Sequence, residues 1–234
     1  MRAIALALTL AGTTALAAQD APQSEQGPVR WSGRETFKLL PVGESAIPAT
    51  LAIEEGSRMD IPFHAAAVEK GQVVADVGCG RGRFSFRLAE GVGSEGLVYC
   101  RDTNDARIAE VQGLAAEQDA DNLDIAVSMR GDVGLPTSAI DVVLLSDVYQ
   151  FVISQHESHD EFMTSLHRAV KPGGIVVVSY VTSHLLFKED DWRDLLDKTV
   201  EGFTGFGYQP GRRFIIDDGR EDRPALVLEF RKPG

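Results

Sequence analysis

The run Val73-Val74-Ala75-Asp76-Val77-Gly78-Cys79-Gly80-Arg81-Gly82, continuing as Arg83-Phe84-Ser85-Phe86-Arg87-Leu88-Ala89-Glu90, decides how the rest of the chain is read. A short apolar, β-branched stretch stops in alternating glycines and resumes with apolar residues at helical spacing. That predicts a strand, a tight loop and a helix. Such a loop leaves backbone N–H groups at a helix N-terminus, where they suit a negative or strongly polar ligand, so the stretch predicts a nucleotide-type pocket. It departs from the dinucleotide fingerprint, whose third glycine would fall at Arg83, a long charged side chain.

Working outward, apolar strands are expected at 73–77, 96–101, 124–128, 141–145 and 174–180, with helical stretches at 61–70, 83–90, 105–118 and 157–170 around and between them. Near-continuous apolar strands alternating with helices predict a mostly parallel sheet covered on both faces. A further helix is expected at 192–200. Strands at 213–216 and 225–230 are separated by a polar turn too short for a crossover, so they should pair as an antiparallel hairpin. The fold class is therefore α/β: a Rossmann-like sheet of seven strands, mostly parallel, with an antiparallel C-terminal hairpin.

Acids at strand ends carry the next step. Asp102 closes the second strand twenty residues after Gly82, where a carboxylate can accept both hydroxyls of a ribose. Asp132, in Arg130-Gly131-Asp132 beyond the third strand, is placed to meet a purine's exocyclic amine or to serve as a turn residue. Ser146, Asp147 and Tyr149 follow the fourth strand, and the carboxyl ends of parallel strands line the ligand crevice of such sheets.

Together these elements resemble the class I S-adenosylmethionine-dependent methyltransferases. Residues 74–82 look like their first motif, 98–102 like the acidic second, and the strand from Asp141 to Tyr149 like the fourth. Ala169-Val170-Lys171-Pro172-Gly173-Gly174 is similar to the turn into their fifth strand. The resemblance runs from about residue 61 to the C-terminus and implies S-adenosyl-L-methionine as cofactor. It also implies that Gly78, Cys79, Gly80 and Gly82 let the backbone approach the methionine and ribose portions, that Asp76 supports the methionyl amine, that Asp102 holds the ribose, that Asp132 approaches the adenine, and that Ser146 lines the pocket. Asp147 and Tyr149 are the candidate catalytic groups. No spacing singles out a histidine among His64, His156, His159 and His184, and no metal site is expected.

The first residues place Arg2 before an apolar run ending in Ala15-Leu16-Ala17, the pattern of a secretory signal peptide. The expected organisation is a signal at 1–17, a polar leader at 18–30, an irregular cap at 31–60 and the catalytic domain at 61–234, in a periplasmic or secreted protein with no stable membrane span after cleavage. A net charge of -12 argues against nucleic acid as partner; the expected partner is a small-molecule methyl acceptor. Cys79 and Cys100 are the only cysteines, and because a bridge would bear on the glycine loop they are expected as free thiols. Two other readings stand beside the enzyme: a non-catalytic periplasmic binder of adenosyl ligands on the same fold, and a nicotinamide-dependent oxidoreductase, against which Arg83 and the terminal hairpin count.

Overall fold

The computed structural model describes residues 29–31, 35–41, 61–154, 156–181, 191–217 and 225–234. Strands β1 (Val29–Trp31), β2 (Glu35–Pro41), β3 (Val73–Val77), β4 (Leu97–Asp102), β5 (Leu123–Val127), β6 (Ile140–Ser146), β7 (Val170–Tyr180), β8 (Gln209–Asp217) and β9 (Ala225–Arg231) form one sheet in the order β1-β2-β8-β9-β7-β6-β3-β4-β5. Strands β3 to β7 run parallel. The last strand, β9, inserts between β7 and β8 and is antiparallel to both.

Both faces of the strands at the centre of this sheet are buried, which explains why those strands are apolar at successive positions. Val74, Val142, Leu144, Val177 and Val227 point to one side, where they join Ile61 of α1 (Ile61–Ala66) and Leu88 of α2 (Arg83–Val92). Their neighbours Ala75, Val143, Leu145, Val176 and Leu228 point to the other and pack with Met163 and Leu166 of α5 (His156–Ala169) and Phe203 of α6 (Asp191–Gly205). The two-residue period of a strand splits one hydrophobic run between two cores.

The seven strands and the hairpin expected from the sequence are present. The irregular cap expected over 31–60 is not what its first part forms: Glu35–Pro41 pairs antiparallel with β8, and Val29–Trp31 pairs with it in turn, widening the sheet to nine strands. Pro41, Gly43 and Pro48 interrupt the apolar pattern of the sequence around β2 and conceal it. The signal at 1–17, the leader to 28 and the rest of the cap, 42–60, lie outside the described residues. Among the described residues no helix is long and apolar enough to cross a membrane.

Candidate active site

Strand β3 is the switch point of the sheet. Its crossover to β4 leads one way and the chain returns to β6 on the other side, so the carboxyl ends of β3, β4 and β6 open into a crevice. A cavity of about 340 Å³ lies there, lined by Gly78 after β3, Asp102 at the end of β4, Met129 after β5, and Asp147, Val148 and Phe151 after β6.

The loop after β3 is built from backbone contacts. Register pairs Val77 with Arg101, and the Arg101 carbonyl accepts from Gly78 N at 2.6 Å and Cys79 N at 3.0 Å. Gly80 N donates to Asp102 Oδ2 at 2.9 Å. Gly78, Gly80 and Gly82 all have positive φ, at 77°, 58° and 77°, which only glycine adopts freely. At Gly78 a Cβ would collide with Val148, so the loop and the segment after β6 touch at a residue that must lack a side chain. At Gly80 a Cβ would meet nothing within 4 Å, so the space before that residue is open.

Asp102 serves as hinge between loop and helix. Its Oδ1 accepts from Asn104 N at 2.8 Å, and Asn104 caps α3 (Asp105–Glu117) by accepting from Arg107 N. Asp147 sits in left-handed backbone, φ 53°, and its Oδ1 accepts from Val181 N at 3.0 Å. Two acids thus line one cavity from the ends of β4 and β6, the strands on either side of β3. They suit a ligand bearing hydroxyls and positive charge, while Met129, Val133 and Phe162 offer an apolar wall for a flat ring and Arg107 and Arg130 lie on the same rim. This lining fits S-adenosylmethionine, which carries a ribose diol, a sulfonium, an ammonium and a purine. Asp102 would hold the ribose, and the 78–82 backbone would face the methionine portion.

Several expected site residues stand elsewhere. Asp76 is buried beneath the loop, away from the cavity; its carboxylate accepts from Ser85 Oγ at 2.6 Å and from the Ser85 backbone N–H. It therefore satisfies an N-terminal donor of α2, which Gly82 cannot cap with a side chain. Burial raises its pKa to about 6 against the pull of Ser85. Gly82 packs on Val111 and Phe86. Ser146 is half-buried at the end of β6 and is absent from the cavity wall. Asp132 turns back on its own loop: its Oδ1 accepts from Gly134 N at 3.0 Å and Ser165 Oγ at 2.7 Å, which hold its pKa below the usual carboxylate range. It serves as a turn residue, and its carboxylate faces a separate shallow depression beside Ser165.

Tyr149 is fully buried, with its hydroxyl 2.9 Å from His159 Nε2 and its ring on Phe203. Burial pushes its pKa up, and it does not line the cavity. The reason is helical phase. Val148, Phe151 and Val152 recur at the three- and four-residue spacing of one helix face and turn to the cavity; Tyr149, one step on, points into the core. Read as a helix start instead of a strand end, α4 (Tyr149–Ser154) would have yielded Phe151 and Val152 from the sequence.

The expectation of free thiols is corrected: Cys79 and Cys100 form a disulfide, with Cα atoms 5.7 Å apart. Cys100 pairs in register with Asp76, three residues before Cys79. The loop's turn brings the two side chains together behind the site. Among the described residues no three His, Cys, Asp or Glu side chains converge as a metal-binding group.

The methyltransferase-domain family model matches residues 68–205, more than half of the chain. Arsenite methyltransferase of Halobacterium salinarum is 27% identical over 53% of this chain and 31% of its own length. Demethylmenaquinone methyltransferase of Geobacillus stearothermophilus is 27% identical over 51% of this chain and 50% of its own. The chain thus spans half or less of the length of these two relatives. An S-adenosylmethionine-dependent methyltransferase from Aquifex aeolicus shares the fold with a TM-score of 0.57, at 17% identity, over 74% of this chain and 88% of that one. Family model, sheet order and the acid-lined crevice agree: the chain belongs to the class I S-adenosylmethionine-dependent methyltransferase family.

Proposed function

We propose that the protein transfers a methyl group from S-adenosylmethionine to a small, largely apolar acceptor. The observation that carries this reading is the convergence of Asp102 and Asp147 on one cavity at the switch point. The cofactor supplies an activated methyl on a sulfonium, so the chain has mainly to align and desolvate. Asp102 and the 78–82 backbone orient the cofactor. Phe151, Val152 and Phe162 exclude water and offer an apolar face to the acceptor. Asp147, held by Val181 N and by its backbone conformation, is the group placed to orient an acceptor O–H or N–H and receive its proton. Tyr149 supports this wall from behind through His159.

The relatives' names point to two acceptor chemistries. Trivalent arsenic is soft and favours thiolate ligands, whereas both cysteines of this chain are joined to each other. A ring-bearing organic acceptor, of the kind the demethylmenaquinone enzyme's name denotes, suits the aromatic and aliphatic wall better. Export is part of the same proposal. Its supports are the signal-like pattern before residue 18 and a disulfide, which persists in oxidising compartments.

Calorimetry with S-adenosylhomocysteine tests the site. Binding is expected in the wild type, weakened about tenfold or more in Asp102→Ala by loss of a charge-assisted hydrogen bond to the ribose. A methyl-release assay with ring-bearing acceptors then tests turnover, with Asp147→Asn expected to lower kcat more than KM for the cofactor. No binding at millimolar ligand would refute the cofactor reading, and binding without turnover on any acceptor would leave the protein a binder of adenosyl ligands.

A further inference from the structure

The disulfide lies inside the cofactor machinery. Cys79 is the residue between Gly78 and Gly80, and Cys100 stands two positions before Asp102 on β4. Both side chains are buried, at 7% and 0% exposure, in a small apolar cluster with Ile108, Val111, Phe86 and Ile125. Apart from the bridge, the first half of the loop is tied to the end of β4 by three hydrogen bonds: Gly78 N and Cys79 N to the Arg101 carbonyl, and Gly80 N to Asp102 Oδ2. The third uses the carboxylate that faces the cavity. Any movement of residue 79 therefore moves a donor to Asp102.

Alternating glycines have the largest conformational freedom to lose on ordering. A ligand that binds an unordered loop must supply that ordering from its own contacts, whereas a pre-ordered loop spares it. We propose that Cys79 and Cys100 are positioning residues for the cofactor, and that their oxidation to the disulfide sets the affinity of the site for adenosyl ligands. The inference rests on the methyltransferase reading of the cavity. Forming the bridge removes one proton and one electron from each thiol; the two electrons and two protons pass to an external disulfide of the thiol–disulfide oxidoreductase class, which becomes a dithiol. Because the sulfurs are shielded, exchange belongs to the folding or partly opened chain, so the bridge acts as a maturation step.

The test uses the full chain in three states: as folded with the bridge, reduced with a trialkylphosphine and kept reduced, and reoxidised. Alkylation and mass measurement count the thiols, circular dichroism checks the fold, and calorimetry reads the dissociation constant for S-adenosylhomocysteine at a temperature where all three are folded. The reduced state is expected to bind about tenfold more weakly, with affinity restored on reoxidation. The Cys79→Ala/Cys100→Ala double variant is expected to bind weakly whether or not reductant is present. Reducing a bridge that is merely structural would lower the melting temperature and leave the dissociation constant unchanged. Equal affinity of reduced and oxidised wild type, or two alkylatable thiols in the protein as folded under oxidising conditions, overturns the proposal. Should neither state bind at millimolar ligand, the cofactor reading falls and takes this proposal with it.

Discussion

Asp76 shows how a motif residue can serve the helix that follows it. Its carboxylate caps α2 from beneath, and burial outweighs the Ser85 hydrogen bonds in setting its pKa near 6. The folded-state value is raised above the unfolded one, so between about pH 4 and pH 6 the native protein keeps a proton that the unfolded chain has released. This group's contribution therefore declines as pH rises through that window and is level above it, by at most about 3 kcal/mol. Asp76→Asn should remove the dependence: urea denaturation at pH 4.5 and 7.5 should show the variant gaining on wild type as pH rises. A pH-independent difference would mean that Asp76 is not perturbed. Asp132 carries the opposite lesson. An Asx turn onto Gly134 and a bond to Ser165 use its oxygens locally, the alternative that a turn aspartate always offers.

At the scale of elements, the approach of the β3 loop to the segment after β6 is the contact that closes the crevice. Gly78→Ala would meet the Val148 side chain at a φ of 77°, two penalties at one position. The variant should lose about 2 to 4 kcal/mol of stability in urea denaturation. Adding Val148→Ala should return the steric part while the backbone part stays, a coupling that a double-mutant cycle isolates. Full additivity would show that the two residues do not touch. The strands and long helices were legible because each carries a complete hydrophobic period. Tyr149 was misplaced because a strand ending and a helix beginning differ by one residue of phase. Free thiols were the wrong expectation for another reason: a bridge between cysteines 21 positions apart reads on sequence as bearing on the glycine loop, whereas the loop's own turn, after the Asp76 to Cys100 register between β3 and β4, already carries Cys79 onto Cys100.

For the whole molecule, the outline of the fold and the acid-lined end of the sheet could be read from the alternation of elements, because switch-point sites follow from topology. The N-terminal pair β1 and β2 could not, since its place is set by the free edge of β8, far along the chain. Closing a loop between cysteines at this spacing contributes about 3 kcal/mol of stability in the chain-entropy account. Expression with export is expected to yield a mature chain lacking residues 1–17 and carrying no free thiol, whereas cytosolic expression should yield the longer, reduced form; intact mass with alkylation distinguishes them. Retention of the first 17 residues after export would refute cleavage.

The insertion of β9 between β7 and β8 also sets an order of events. Leu226, Val227, Leu228 and Phe230 are buried at the centre of the sheet, although they lie among the last residues described. Until Ala225–Arg231 has left the ribosome, β7 has one bare edge and neither β8 nor the strands beyond it can dock. The part of the sheet from β7 to β8 therefore completes only after synthesis has passed Ala225–Arg231, by long-range pairing that forms slowly.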